Sequence, residues 1–150
     1  MMVFAEGDPD FLTEGESKMM PHLVAWLRRV RWVRNDSVVV REFPINGRRA
    51  DLITMTRSGV ISAYELKLGG FGRALEQAVY NSYSVDRSWM VVGSEPRADN
   101  LREATKFGIG VIVIRDCIPR IVVRPSCSGV DEGAKTRVGG KLAKVEVSCV

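Results

Sequence analysis

Apolar residues recur at helical spacing from about residue 16 to 33, where Met20, Leu23, Leu27 and Val30 form a stripe flanked by Met19 and Trp26. Pro21 falls inside this stretch, so it belongs to a first turn or introduces a kink. The pattern then changes to strand runs. Val38–Phe43 is the first, and Asn46-Gly47 marks a tight hairpin turn after it. Residues 49–56 and 60–68 are two further strands around a turn at Ser58-Gly59, completing a three-stranded meander. Gly69-Gly70-Phe71-Gly72 breaks the meander. A helix is expected over 73–85, a strand over 89–93, a short helix over 99–107 and a strand over 111–114. Residues 118–124 add a hairpin strand, which Pro119 places at an edge. The order αβββαβαβ is that of an α/β fold with helices on a mixed sheet.

Three segments follow from this reading. Residues 1–13 are an acidic N-terminal arm, 14–125 the folded domain, and 126–150 a polar, flexible C-terminal tail in which 142–150 could form one isolated strand. A chain of 150 residues is one domain with a sizeable core. No run of apolar residues is long enough to span a membrane. The three cysteines lack paired spacing and there is one histidine, so a zinc set is excluded and reduced, cytoplasmic thiols are the expectation. No signal peptide is expected at the N-terminus.

The net charge of +4 permits a polyanionic partner, and its distribution is uneven. Residues 1–16 hold five acids and no base, whereas 17–49 hold eight bases and two acids. Arg28, Arg29, Arg31 and Arg34 crowd the end of the first helix. They are either a solvated helix end, where cations meet the dipole, or a patch that contacts phosphate.

The candidate chemistry lies on the second and third strands. Residues two apart on a strand share a face, so Glu65 and Lys67 point together while Leu66 points into the opposite layer. An antiparallel neighbour brings Asp51 beside them. Two carboxylates on rigid strands suit a hard divalent cation, and an adjacent lysine can position water or stabilise developing phosphate charge. Salt-bridged charges on a sheet face are the plainer alternative. It leaves two buried carboxylates against one lysine, a balance that needs a further cation.

With Asp51 at a strand start and Glu65-Leu66-Lys67 on the next strand, the chain resembles the PD-(D/E)XK nuclease superfamily over roughly residues 14–115. Ala50 stands where that family often has proline. The following helix, with Arg73, Gln77 and Tyr80-Asn81, extends the likeness to branches related to junction-resolving and repair enzymes. The resemblance implies a restriction-endonuclease-like mixed sheet and a Mg²⁺- or Mn²⁺-dependent nuclease acting on DNA more than RNA. It implies a metal held by Asp51, Glu65 and the Leu66 carbonyl, with Lys67 at the attacking water. It also implies a pathway of repair, recombination, restriction or defence, and a homodimer or larger nuclease complex as the working form.

The supporting residues are less sharply defined. The family often adds a glutamate from the first helix. Glu16 lies on the face of the core stripe and Glu14 on the outer side, although Thr13 and Glu16 could instead form a capping box. Gln77 shares a stripe with Arg73, Tyr80 and Ser84 beside an apolar stripe of Leu75, Ala78 and Val79. The resemblance gives Gln77 a role in orienting water or a phosphate oxygen, and a wet helix shoulder is the alternative. Arg48, Arg49, Arg73 and Tyr80 are the nucleic-acid-contacting candidates beside Arg28, Arg29 and Arg31. The glycine-rich 69–72 segment lacks the Lys-Ser/Thr of a nucleotide loop and is read as a turn. His22, on the outer face, has no partner for general-base work. Two other classes remain open: a non-catalytic nucleic-acid-binding module within a larger complex, and a protein-interaction domain in which the acidic spacing is incidental.

Overall fold

A computed structural model describes residues 14–127 and 129–145. The chain folds as α1 (Glu14–Arg29), β1 (Val38–Ile45), β2 (Arg48–Met55), β3 (Ile61–Lys67), α2 (Phe71–Ser82), β4 (Arg87–Val92), α3 (Ala98–Lys106), β5 (Gly110–Arg115), β6 (Ile118–Val123) and α4 (Glu132–Ala143). The six strands form one mixed sheet in sequential order, β1-β2-β3-β4-β5-β6. The β1-β2, β2-β3 and β5-β6 pairs are antiparallel, and β3-β4 and β4-β5 are parallel. The parallel steps need crossovers, and α2 and α3 supply them.

Both tight hairpin turns use left-handed backbone, which Asn46, Gly47 and Asp116 favour and Cys117 does not. Asn46 and Gly47 adopt φ of 47° and 84°, and Asp116 and Cys117 adopt 51° and 65°. Two consecutive left-handed residues match the twist of the flanking strands, and Asn, Asp and Gly tolerate that conformation best.

The alternation along the strands sorts the core into two layers. On one face, Leu23 and Leu27 of α1 pack with Tyr64, Leu66, Trp89, Val91 and Ile112. Truncating either wholly buried leucine to alanine would cost ~2–5 kcal/mol. On the other face, α2 and α3 cover Met90, Val92, Val111 and Val113, and α4 joins Val40, Ile53 and Ala63. Pro21 lies well inside α1, not in a first turn as one expectation had it. It withholds the bond to the Ser17 carbonyl, and the helix runs on to Arg29.

The expected flexible tail is corrected over its middle. Asp131 caps α4 by accepting from the Ala134 N–H at 2.9 Å. Ala134, Val138 and Leu142 recur every four residues and are buried. Lys135 pairs with Asp86 at 2.8 Å, and the Asp131 N–H donates to the Tyr83 carbonyl. Gly133, Gly139 and Gly140 lower the intrinsic helix propensity, which is why the segment reads as coil until its apolar stripe finds the sheet. Leu142 is therefore helical. Ala143 is helical too, Lys144 and Val145 follow it as a turn and a bend, and the remainder of the expected isolated strand, 146–150, like the acidic arm and Thr13, lies outside the described residues. No helix among the described residues is long and apolar enough to cross a membrane.

Candidate functional site

Asp51 sits where the sheet ladder breaks on both sides. The β2-β3 register runs from Met55↔Ile61 to Leu52↔Tyr64 and stops one step before Asp51 would face Glu65. On the other flank, Arg41↔Leu52 and Phe43↔Ala50 are paired, while the step between them, Glu42 opposite Asp51, is skipped. Glu42 has φ of 52°, which turns its backbone out of the strand conformation. Splayed strands leave main-chain groups without ladder partners. The Asp51 carboxylate takes one of these, accepting from the Leu66 N–H at 2.8 Å.

Glu65 follows Ala63 on the face covered by α2, and Asp51 follows Ile53 on that same face. Their carboxyl groups lie within hydrogen-bonding reach of each other. Asp51 is 4% exposed and Glu65 7%. Burial pushes the Asp51 carboxyl up to about 6. Burial and then the neighbouring Asp51 charge push Glu65 up to about 9. Two carboxyl groups so placed cannot both ionise readily without a cation, and they titrate as a pair.

Neighbouring elements complete the site. Leu66 sends its side chain into the α1 layer, so its main chain meets the pocket. Lys67, next on the Glu65 face, also lines the pocket and favours ionised Asp51. From α1, buried Glu16 accepts from the Leu68 N–H at 3.2 Å, tying the helix start to the end of β3. Gly15 makes this approach feasible, because a Cβ there would overlap the Leu68 side chain. Glu14 is exposed and pairs with Lys18 at 3.6 Å. The structure thus separates the two glutamates, with Glu16 in the pocket wall and Glu14 outside it.

The polar face of α2 forms the opposite wall. Gln77 Oε1 accepts from Arg48 Nη1 at 3.3 Å, and its buried Nε2 has no partner among the described residues. Arg48 lies 4.3 Å over the Tyr80 ring, and the Tyr80 hydroxyl donates to the Asn46 carbonyl at 2.6 Å. Tyr80 therefore fastens the β1-β2 hairpin tip to α2 and is not in the pocket wall, whereas Arg48, Arg49 and Arg73 are. The cavity enclosed by these residues measures about 580 Å³.

From sequence, Asn81 counts only as part of the helix that carries the resemblance, with no role in the site. It is wholly buried, and its Nδ2 donates to Glu65 Oε1 at 2.9 Å. This orientation suits the ionised carboxylate. Its own Oδ1 has no partner among the described residues, at a cost of about 1–3 kcal/mol. The available signal was spacing: Asn81 stands four residues after Gln77, one turn along the same helix.

Arg28, Arg29 and Arg31 lie elsewhere. Arg28 is about 18 Å from Glu16 along the α1 axis, at 1.5 Å per residue. Arg28 borders a shallow groove with Arg41, and Arg31 borders a separate cavity.

The donor set fits a hard divalent cation in kind. It offers two carboxylates that disfavour each other's ionisation and a main-chain segment beside them. Among the described residues no group of three or more His, Cys, Asp or Glu side chains is placed to hold a metal ion. A cation here would take its remaining ligands from water and substrate oxygens, as Mg²⁺ habitually does.

Fold and site together define an α/β protein with a six-stranded mixed sheet and a buried acidic pair at one end of its third strand. No family model matches the chain, and no curated protein matches it. Among solved structures it is similar to SPO1766, a protein of unknown function from Silicibacter pomeroyi, with a TM-score of 0.63 and 20% identity. That alignment covers 89% of this chain and 86% of the other, and it shows a shared fold. A fainter likeness, with a TM-score of 0.36 and 13% identity, is to Pyrococcus furiosus SfsA in complex with Ca²⁺. It covers 75% of this chain and 61% of that one.

Proposed function

We propose that the protein is a divalent-metal-dependent nuclease of the PD-(D/E)XK type, hydrolysing phosphodiester bonds in DNA more readily than in RNA. The observation that supports this reading most is the Asp51–Glu65 pair: two buried, mutually destabilised carboxyl groups beside Lys67, in a cavity rimmed by Arg48, Arg49 and Arg73. Asp51, Glu65 and the Leu66 carbonyl would hold Mg²⁺ or Mn²⁺. The bound ion would supply Lewis acidity and lower the pKa of coordinated water.

The chain's own residues do the rest. Leu66 N–H fixes one Asp51 oxygen and Asn81 fixes one Glu65 oxygen, so the pair is held in one geometry before substrate arrives. Lys67 places an ammonium beside the pair, where it positions water and offsets charge that grows on the phosphate oxygens. Gln77 lines the cavity and, by turning its amide, would donate to a water or phosphate oxygen. Glu16 holds the end of β3 through Leu68 and would orient water by its remaining acceptor capacity. Arg49 and Arg73 would contact the backbone of the strand being cut.

The test is a Mn²⁺-supported cleavage screen over branched, single-stranded and duplex DNA and over RNA. It is paired with calorimetric Mn²⁺ binding by the wild type, Asp51→Asn and Glu65→Gln. The expected result is cleavage and metal binding in the wild type, both lost in the two variants. Cleavage at the wild-type rate by Asp51→Asn overturns the proposal. Metal binding without cleavage of any substrate leaves a non-catalytic binding module as the better reading.

A further inference from the structure

A second cavity, of about 710 Å³, opens at the opposite end of β3 and on the opposite face of the sheet from the acidic pair. Its wall carries Arg31, Arg34, Arg57 and Arg87 against a single acid, Asp36. Among the described residues none of these four arginines is ion-paired. Like charges gathered around one concavity repel one another, and Asp36 offsets only part of the excess in that wall.

The arginines come from three separate segments. Arg31 and Arg34 follow α1, Arg57 sits in the β2-β3 turn, and Arg87 begins β4. Arg31 holds φ of 66° where α1 ends, a position that favours glycine. Beneath them the sheet offers hydroxyls. Thr54, Ser62 and Arg87 stand in register across β2, β3 and β4. Thr54 and Ser62 are buried and interact with the Tyr64 phenol, which burial keeps protonated. The result is a floor of hydroxyl groups under a rim of guanidinium groups. Planar guanidinium forks match phosphate oxygens, and hydroxyls can donate to them.

Charge and size together narrow the ligand. A lone carboxylate would leave most of the rim uncompensated, whereas a phosphomonoester brings nearly two negative charges. The volume exceeds what a bare phosphate needs and falls among cavities that hold nucleotide-sized molecules. Half-buried Trp32 lines one side, packed against Trp26 and Trp89 with ring centroids 5.3 and 5.6 Å away.

We propose that this cavity binds the phosphate of a nucleotide-sized phosphomonoester, either a free nucleotide or the phosphorylated end of a nucleic-acid strand. The site stands on its own residues and does not depend on the nuclease reading. The Trp26–Trp32–Trp89 cluster holds all the tryptophans of the chain, so its fluorescence reports occupancy.

The experiment titrates the full chain, in EDTA, with inorganic phosphate, thymidine 5′-monophosphate and a short single strand bearing either a 5′-phosphate or a 5′-hydroxyl. Fluorescence and calorimetry are the readouts. The expected result is saturable binding of phosphorylated probes, competed by inorganic phosphate, and weakened about tenfold or more in Arg57→Ala/Arg87→Ala. Both positions are exposed, so that variant should keep the wild-type melting temperature, and Arg57→Glu gives a second, charge-reversing check. A phosphorylated strand that binds better than the mononucleotide identifies a strand end as the source. Equal binding of the two identifies a free nucleotide. No saturable binding of any phosphorylated probe, or unchanged affinity in both variants, overturns the proposal.

Discussion

The two ends of β3 use opposite electrostatic strategies. At the Glu65 end the charges are carboxyl groups, buried, fixed by Leu66 N–H and Asn81, and pushed toward their neutral forms. At the Ser62 end the charges are guanidinium groups on exposed loop and strand-start positions, over a floor of neutral hydroxyls. Buried charge is costly, so the first end is specific in geometry and suited to a compact, highly charged partner. Solvated charge carries little penalty, so the second end is looser and suited to a ligand that brings its own shape. β2 supports both ends, splaying from its neighbours at Asp51 and staying in register with β3 where Thr54 faces Ser62.

The largest effect that would sharpen this contrast is expected at Lys67. Under the proposed mechanism Lys67→Ala should lower turnover by about 10²–10³, as when one donor aimed at developing charge is removed. Substrate affinity should change little, because the ammonium is needed most in the transition state. Single-turnover kinetics beside binding by the Asp51→Asn protein separate the two quantities. A loss confined to affinity would make Lys67 a backbone contact and move the acidic end closer in character to the arginine end.

Glu16 comes next. Glu16→Gln should lower cleavage about tenfold or more, the scale of losing a partner that orients the ligand shell. Glu14→Gln should have no effect, since Glu14 is exposed and pairs with Lys18 outside the pocket. Equal rates in the two variants would show that the tie from Glu16 to Leu68 holds the helix without serving the chemistry.

How far the sequence disclosed these regions depends on how local each determinant is. Asp51 and Glu65 are brought opposite one another by the Arg57-Ser58-Gly59 turn, so one hairpin carries the pairing and its period of two sets the face. Glu16 was legible because helical spacing places it on the Leu23–Leu27 stripe. Asn81 was not, because whether it reaches Glu65 depends on how α2 lies across β3 and β4. α4 was hidden for a related reason: three glycines mask a helix whose stability comes from the face of β1 it covers. The arginine cavity was least legible of all. Its rim is assembled from residues 31–34, 57 and 87, and no local period connects them. The arginine run at 28–34 was visible as a run, yet the end of α1 divides it, sending Arg28 toward Arg41 and Arg31 toward Arg57 and Arg87.

A smaller effect should appear in stability. Glu65 ionises near 4.5 when unfolded and near 9 when folded, and Asp51 is raised in the same direction. Between those values the folded state binds more protons than the unfolded state, so stability falls as pH rises. The metal-free protein should therefore melt at a higher temperature at pH 5 than at pH 8, with the loss levelling off above about 9. Glu65→Gln should flatten much of this slope, because it leaves a neutral group that Asn81 can still meet. Added Mn²⁺ should raise the melting temperature more at pH 8 than at pH 5, since binding has to displace protons from the pair. Melting curves over a pH series test all three statements. A rise in stability from pH 5 to pH 8 in the metal-free wild type would mean that the pair is compensated from within the protein, and the contrast between the two ends would fail at its acidic side.

The smallest effect concerns which basic surface grips the backbone of a strand occupying the acidic pocket. Arg49 and Arg73 line that pocket, whereas Arg28 and Arg29 lie toward the far end of α1. Removing one cation from a phosphate should reduce the slope of log affinity against log salt by about 0.9 on duplex DNA, or about 0.7 on single strands. Binding measured with Asp51→Asn, so that nothing is cut, should show that reduction when Arg49→Ala or Arg73→Ala is added. Arg28→Ala/Arg29→Ala should leave the slope unchanged, which would make those two a solvated helix end. Arg31→Ala is the informative intermediate, because Arg31 belongs to the other cavity. If a single strand reaches from one end of β3 to the other, Arg31→Ala should lower the slope as well, and only for strands long enough to span the sheet. If the two ends take separate ligands, Arg31→Ala should leave the slope of strand binding untouched while weakening the phosphomonoester, and the division of labour along β3 would hold.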